Sequence, residues 1–150
     1  MANGKLKSWE LTHIPGGRLA SGAPARSWLA MRYYIGRKTG DVWLVPTGPN
    51  SSYRTYDKQV EYWNNYQAGR GPIAARPGTS NHGVGRACDL PTATMQGQVR
   101  RYGHRFGWGI AGGKLASDAP SESWHCTFRK WTPTAALWFA RYKIAKKGKR

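Results

Sequence analysis

The stretch TSNHGVGRACDLP, Thr79 to Pro91, places one histidine and one aspartate seven residues apart, with Gly83, Gly85 and Ala87 between them. Along an extended segment alternate side chains share a face. Asp89, Ala87 and Gly85 would then point one way, and Cys88, Arg86 and Val84 the other. The odd offset sets His82 against Asp89, across the strand. Glycines at 83 and 85 permit a bulge or turn that brings the two side chains to one point. By itself the stretch reads either as a glycine-rich turn or as half of a metal site.

Downstream lies ESWH, with Glu122 three residues before His125. The preceding SDAPSES has loop composition, which places Glu122 at the mouth of a strand and off its ligand face. A zinc hydrolase needs three protein ligands, an open fourth position holding water, and a carboxylate to take that water's proton. His82, Asp89 and His125 as ligands and Glu122 as base supply those parts. The chain has only seven Asp and Glu, and one stands in each histidine cluster.

These residues carry a resemblance. Ser80 to Asp89, SNHGVGRACD, matches Ser-x-His-x-x-Gly-x-Ala-x-Asp, the zinc signature of the D-Ala-D-Ala carboxypeptidase/L-Ala-D-Glu endopeptidase family. Glu122 to His125 matches that family's Glu-x-Trp-His, and Ser52 to Gln59, SYRTYDKQ, is similar to its upstream Tyr-Arg-Ser-x-x-x-Gln block. The blocks occur in the family's order, and the likeness spans about residues 28 to 140. It implies a small α+β zinc peptidase of peptidoglycan stem peptides, with the fold shared by the hedgehog signalling domain. Carried over by position, His82, Asp89 and His125 bind Zn2+ and Glu122 is the general base. Arg54 is implied to contact substrate, pairing with its carboxylate or stabilising the oxyanion, and Ser80 to support metal or substrate.

Composition bounds the rest. At 150 residues the chain is one domain, long enough for a core without staples. Its 24 Lys+Arg against 7 Asp+Glu give +17, which predicts attraction to polyanions, including the anionic polymers of a bacterial envelope. A basic nucleic-acid-binding domain rests on charge alone, without a recognised motif, and no specific nucleic acid is expected. A non-catalytic zinc-containing wall-binding module is the other rival, and the intact Glu122 argues against it. No apolar run near the start suggests a signal peptide, and none later is long enough to span a membrane. The expectation is therefore a phage-type endolysin, made in the host cytoplasm and released through a holin-like pore. It is expected to act as a monomer with L-Ala-D-Glu endopeptidase activity; D-Ala-D-Ala carboxypeptidase activity is the alternative.

The pattern along the chain suggests α+β, with a small antiparallel sheet flanked by helices. GGRLASG reads as a loop leading to a helix that Ser21 or Ser27 caps and Gly36 or Gly40 ends; DVWLVPTG reads as a short strand. A second helix runs from about Tyr56 to Tyr66, a third carries Met95, Val99 and Tyr102 on one side, and a fourth closes the chain with a basic tail over about 141–150. HGVGRACDLP and ESWHCTFRKW are strand-like. Cys88 and Cys126 each adjoin a proposed ligand, but alternation turns both away from the metal, as buried thiols near one another. Asp57 reads as a helix-start residue, His104 as a surface or packing residue, and Asp118 as a solvated loop residue, with support of the site as the alternative.

Overall fold

The computed structural model describes residues 2–148. Two strands, β1 (Leu11–Ile14) and β2 (Gly17–Ala20), form an antiparallel hairpin with Leu11 opposite Ala20. Their turn is Pro15-Gly16, where Gly16 has φ +85°, a conformation that glycine adopts without a Cβ clash. The segment read as a loop before the first helix is thus half a hairpin. Four residues between the Gly16-Gly17 pair and Gly22 carry too little alternation to announce a strand.

Helix α1 (Ala23–Thr39) begins at Gly22, with Pro24 in its first turn and no side-chain cap, so neither Ser21 nor Ser27 caps it. It ends at Gly40, in the left-handed conformation, whose N–H bonds Gly36 O. Gly36 lies inside the helix because Trp43 packs on it; a Cβ there would come 2.2 Å from the indole. DVWLVPTG forms no strand among the described residues. Pro46 has no N–H to donate to a ladder. Single bonds hold the segment instead: Arg32 Nε donates to Leu44 O at 2.8 Å, and Thr47 N–H to Asp89 O at 3.0 Å.

Helix α2 (Tyr56–Gln67) starts at Thr55, whose hydroxyl accepts from Lys58 N–H, and Asp57 lies in its first turn. Strand β3 (Ala87–Asp89) is followed by α3 (Ala93–Tyr102), which buries Val99 and Tyr102 and lays Met95 against the core. A short hairpin, β4 (Gly109–Ile110) with β5 (Lys114–Leu115), precedes β6 (His125–Thr127). Helix α4 (Pro133–Lys147) closes the described chain. The expected basic tail is thus helical through Lys147, and its residues 149–150 lie outside the described residues. No described helix is long and apolar enough to cross a membrane.

The sheet is three separate two-stranded antiparallel ladders, β1–β2, β3–β6 and β4–β5. One core ties them together. Trp28 and Trp108 are fully buried and meet edge-on with centroids 5.1 Å apart, a geometry worth about 1 kcal/mol beyond area burial. Trp108 Nε1–H donates to the buried Ser27 hydroxyl at 2.9 Å. Helix α4 packs along α1 through Trp138, 4.9 Å from the Tyr34 ring. Ladder β3–β6 is pinned to this core by Cys88 and Cys126, cross-strand partners with no exposure, as the alternation required. Both are free thiols, and burial raises the pKa of each.

Candidate metal centre and substrate cleft

The register of β3 with β6 decides the site. Cys88 faces Cys126 across the ladder, so Asp89 must face His125 on the opposite side. His125 Nδ1 stands 2.9 Å from Asp89 Oδ1.

His82 reaches the same point from outside the ladder. Asn81–Val84 is a 3₁₀ turn, with Ser80 Oγ accepting from His82 N–H at 3.1 Å at its start. Gly85 closes the turn at φ 68°, ψ 31°, in the left-handed region, before the chain enters β3. The odd spacing is resolved by this tight turn. The turn is clamped from three sides: Arg54 N–H bonds His82 O at 3.0 Å, Asn3 Nδ2 bonds Ser80 O at 2.8 Å, and Gly4 N–H bonds Gly83 O at 2.6 Å. His82 Nδ1 lies 2.7 Å from Ser52 O, a carbonyl that can only accept, so that nitrogen carries the proton. Nε2 is left with its lone pair, 3.3 Å from Asp89 Oδ1.

Ligand atoms of His82, Asp89 and His125 all lie within 4.8 Å of one another. Ligands at zinc distances on tetrahedral corners stand roughly 3.4 Å apart, so two imidazole nitrogens and one carboxylate oxygen fit such an ion with small adjustments. Burial disfavours the ionised Asp89, but hydrogen bonds from the His125 and His82 rings in their protonated form outweigh it and hold the carboxyl below its usual range. An anionic oxygen is therefore present where a cation would need one.

Glu122 sits just before β6, its Oε2 3.9 Å from His125 Nδ1, beside the cluster and out of the ladder. The tight turn Glu122 O to His125 N–H, 3.2 Å, carries it there. Burial raises its pKa, with Asp89 and Asp118 adding to the rise and the two histidines opposing it. Arg54 is buried and fixed: Nε donates to Asn50 O at 2.9 Å, one terminal nitrogen to Gln59 Oε1 at 2.9 Å, and the other stands 3.8 Å from Asp89 Oδ2. Its guanidinium lies over Tyr62, 4.5 Å from the ring centre. Gln59, at the end of the upstream block, also donates to Ala75 O at 2.8 Å and so ties Arg54 to the 70–75 loop. His82, Asp89, His125, Glu122, Arg54 and Gln59 border one cleft of about 630 Å³, with Arg70, Ile73 and Trp124 on its walls and Ser80 at its edge.

Every residue singled out for the site is in this cleft. Asp118 is exposed, as expected of a solvated loop residue, yet it also meets the site: its Oδ1 lies 2.6 Å from His125 Nε2. No spacing rule connects a loop aspartate to a strand seven residues on; the contact arises because Thr127 N–H bonds Ala116 O and folds that loop back over β6. His104, in the turn after α3, is exposed, as expected.

The chain is similar to proteins of known family and structure. A family described as VanY: D-alanyl-D-alanine carboxypeptidase matches residues 44–143. No curated protein sequence matches the chain. Among solved structures, LdcB, an LD-carboxypeptidase described for its peptidoglycan recognition, is 20% identical with TM-score 0.60, over 92% of this chain and 76% of its own. The vancomycin-resistance D,D-pentapeptidase VanY from a VanB-type cassette, solved with Zn(II), is 20% identical with TM-score 0.56, over 89% of both chains. VanYB bound to D-alanine-D-alanine is 19% identical with TM-score 0.54, over 94% of this chain and 90% of that one. These likenesses establish the fold, and the family match covers the stretch from Leu44 through all three blocks to Lys143, so the chain belongs to the VanY family of D-alanyl-D-alanine carboxypeptidases.

Proposed function

We propose that this chain is a zinc peptidase that hydrolyses the stem peptides of peptidoglycan. The observation that carries the reading is the convergence of His82 Nε2, Asp89 Oδ1 and His125 Nδ1 beside the carboxylate of Glu122 in one cleft. The Zn(II) of the VanY structure and the D-alanine-D-alanine of VanYB give the cofactor and the kind of peptide. Zinc, when bound by these three residues, supplies Lewis acidity and brings water near its ionisation point at neutral pH.

The protein's own residues do the rest. Glu122 takes a proton from the attacking water and returns it to the leaving amine. Partial burial, which raises its pKa, suits it to both halves of that transfer. Arg54, pre-oriented by Asn50, Gln59 and Tyr62, points its free N–H groups into the cleft toward a carboxylate or a developing oxyanion. Ser80 holds the His82 turn in place.

The bond cut divides two readings. Cleavage of L-Ala-D-Glu by an endolysin, acting on the wall after holin-type release, accords with the +17 charge. Neither α1 nor α4 carries an acidic residue, and between them runs a groove of about 610 Å³ bearing Arg37, Lys38 and Arg141, suited to anionic wall polymers. D-Ala-D-Ala carboxypeptidase action accords with the family match. Mass spectrometry of fragments from purified peptidoglycan reads the new termini directly. New L-Ala carboxyl and D-Glu amino ends support the first; loss of D-alanine alone supports the second. Glu122→Ala is expected to keep zinc and lose hydrolysis by about 10²–10⁴-fold. Near-wild-type hydrolysis by that variant, or by chelator-treated enzyme, would sink the proposal.

A further inference from the structure

We propose that Asp118 is a positioning residue that fixes His125 in the tautomer and ring orientation that leave Nδ1 free for the metal. The inference rests on His125 being a ligand, and it concerns the nitrogen that faces away from the ligand cluster. That nitrogen, Nε2, lies 2.6 Å from Asp118 Oδ1, while Nδ1 faces Asp89 at 2.9 Å. Both nitrogens thus face carboxylates, which can only accept; once a cation takes Nδ1, the ring's remaining proton sits on Nε2 and Asp118 accepts it.

The carboxylate is itself held. Thr127 Oγ1 donates to Asp118 Oδ1 at 3.0 Å. His125 and Thr127 share a face of β6, two residues apart, and the Thr127 N–H bond to Ala116 O at 2.7 Å brings the Asp118 loop over that face. Asp118 thus braces His125 without being a ligand.

The two histidines are oriented by different means. His82 gives its distal proton to a neutral acceptor, Ser52 O, whereas His125 gives its own to an anion. An anionic partner also makes the imidazole a stronger donor to a metal, and removing such partners typically lowers metal affinity 10–100-fold.

The test compares wild type with Asp118→Ala and Asp118→Asn. Zinc affinity is read by competition with a chromogenic chelator. The His125 tautomer is read by ¹⁵N NMR of the zinc-loaded protein, which distinguishes metal on Nδ1 from metal on Nε2. Expected are an Nε2–H tautomer in wild type, zinc binding weakened about 10–100-fold in Asp118→Ala with loss of that tautomer preference, and recovery of most of both in Asp118→Asn, which keeps a carbonyl acceptor. Unchanged zinc affinity in Asp118→Ala would overturn the inference. So would an Nδ1–H tautomer in the wild type, a measurement that does not depend on any variant folding. Failure of the wild type itself to bind zinc would instead overturn the metal reading on which this rests.

Discussion

Gly85 is where the turn carrying His82 becomes the strand carrying Asp89, and replacing it with alanine tests the logic of the site. Its φ of 68° lies in the left-handed region, where an L residue loses about 1–2 kcal/mol. An added Cβ would also stand 2.5 Å from Ala20 N and 3.1 Å from Ala20 Cα. Those atoms cannot retreat cheaply, because Ala20 N–H is bonded to Gly85 O at 2.9 Å. Overpacking of this sort costs about 1–3 kcal/mol more. The sum, roughly 2–5 kcal/mol, corresponds to a melting temperature lowered by about 5–15 °C in a domain of this size. Gly40→Ala is the control: its φ is +83°, yet nothing lies within 4 Å of the added Cβ, so only the backbone term applies. Calorimetry of both variants, with zinc titrations, separates the effects. Gly85→Ala should be the less stable by at least 1 kcal/mol or so and should bind zinc more weakly, since relief of the clash displaces the His82 turn. Equal melting temperatures and unchanged zinc affinity would refute the claim that this close approach aims His82.

Ser27→Ala should destabilise the fold by about 1–3 kcal/mol, because it leaves the buried Trp108 Nε1–H without an acceptor; a change below a few tenths in denaturant unfolding would count against that. Cys88 and Cys126, buried and with raised pKa, should resist alkylation in the native protein and react only on unfolding, as thiol titration can show. The metal-free protein should be most stable between about pH 4 and 6.5. Asp89, depressed by its histidines against burial, contributes stability that is complete above its unfolded value and lost as pH falls through the folded one. His125 is raised by Asp89 and Asp118, again against burial; its contribution is complete below the unfolded value and lost as pH rises through the folded one. Asp89→Asn should flatten the acid side of the melting-temperature profile, and an unchanged profile would contradict it.

The three blocks were legible as a chain of letters because each is local: a ligand pair around glycines, a base three residues from a ligand, an arginine five residues before a glutamine. Helices α2 and α3 were equally legible, since hydrophobic spacing and caps act within a few turns. The sidedness of Cys88 and Cys126 followed from strand alternation alone. Other features depended on what lies across from them. The β1–β2 hairpin, the unpaired Val42–Val45 stretch and the use of Gly36 to seat Trp43 depend on partners remote in sequence. So does Asp118, whose role appears only when Ala116 bonds Thr127 and the loop turns back over His125. By itself the sequence determined which residues have the chemistry of the site. Only the tertiary structure decided which nitrogen of each histidine faces the cluster, because that is set by the acceptor on its far side: Ser52 O for His82 and Asp118 for His125.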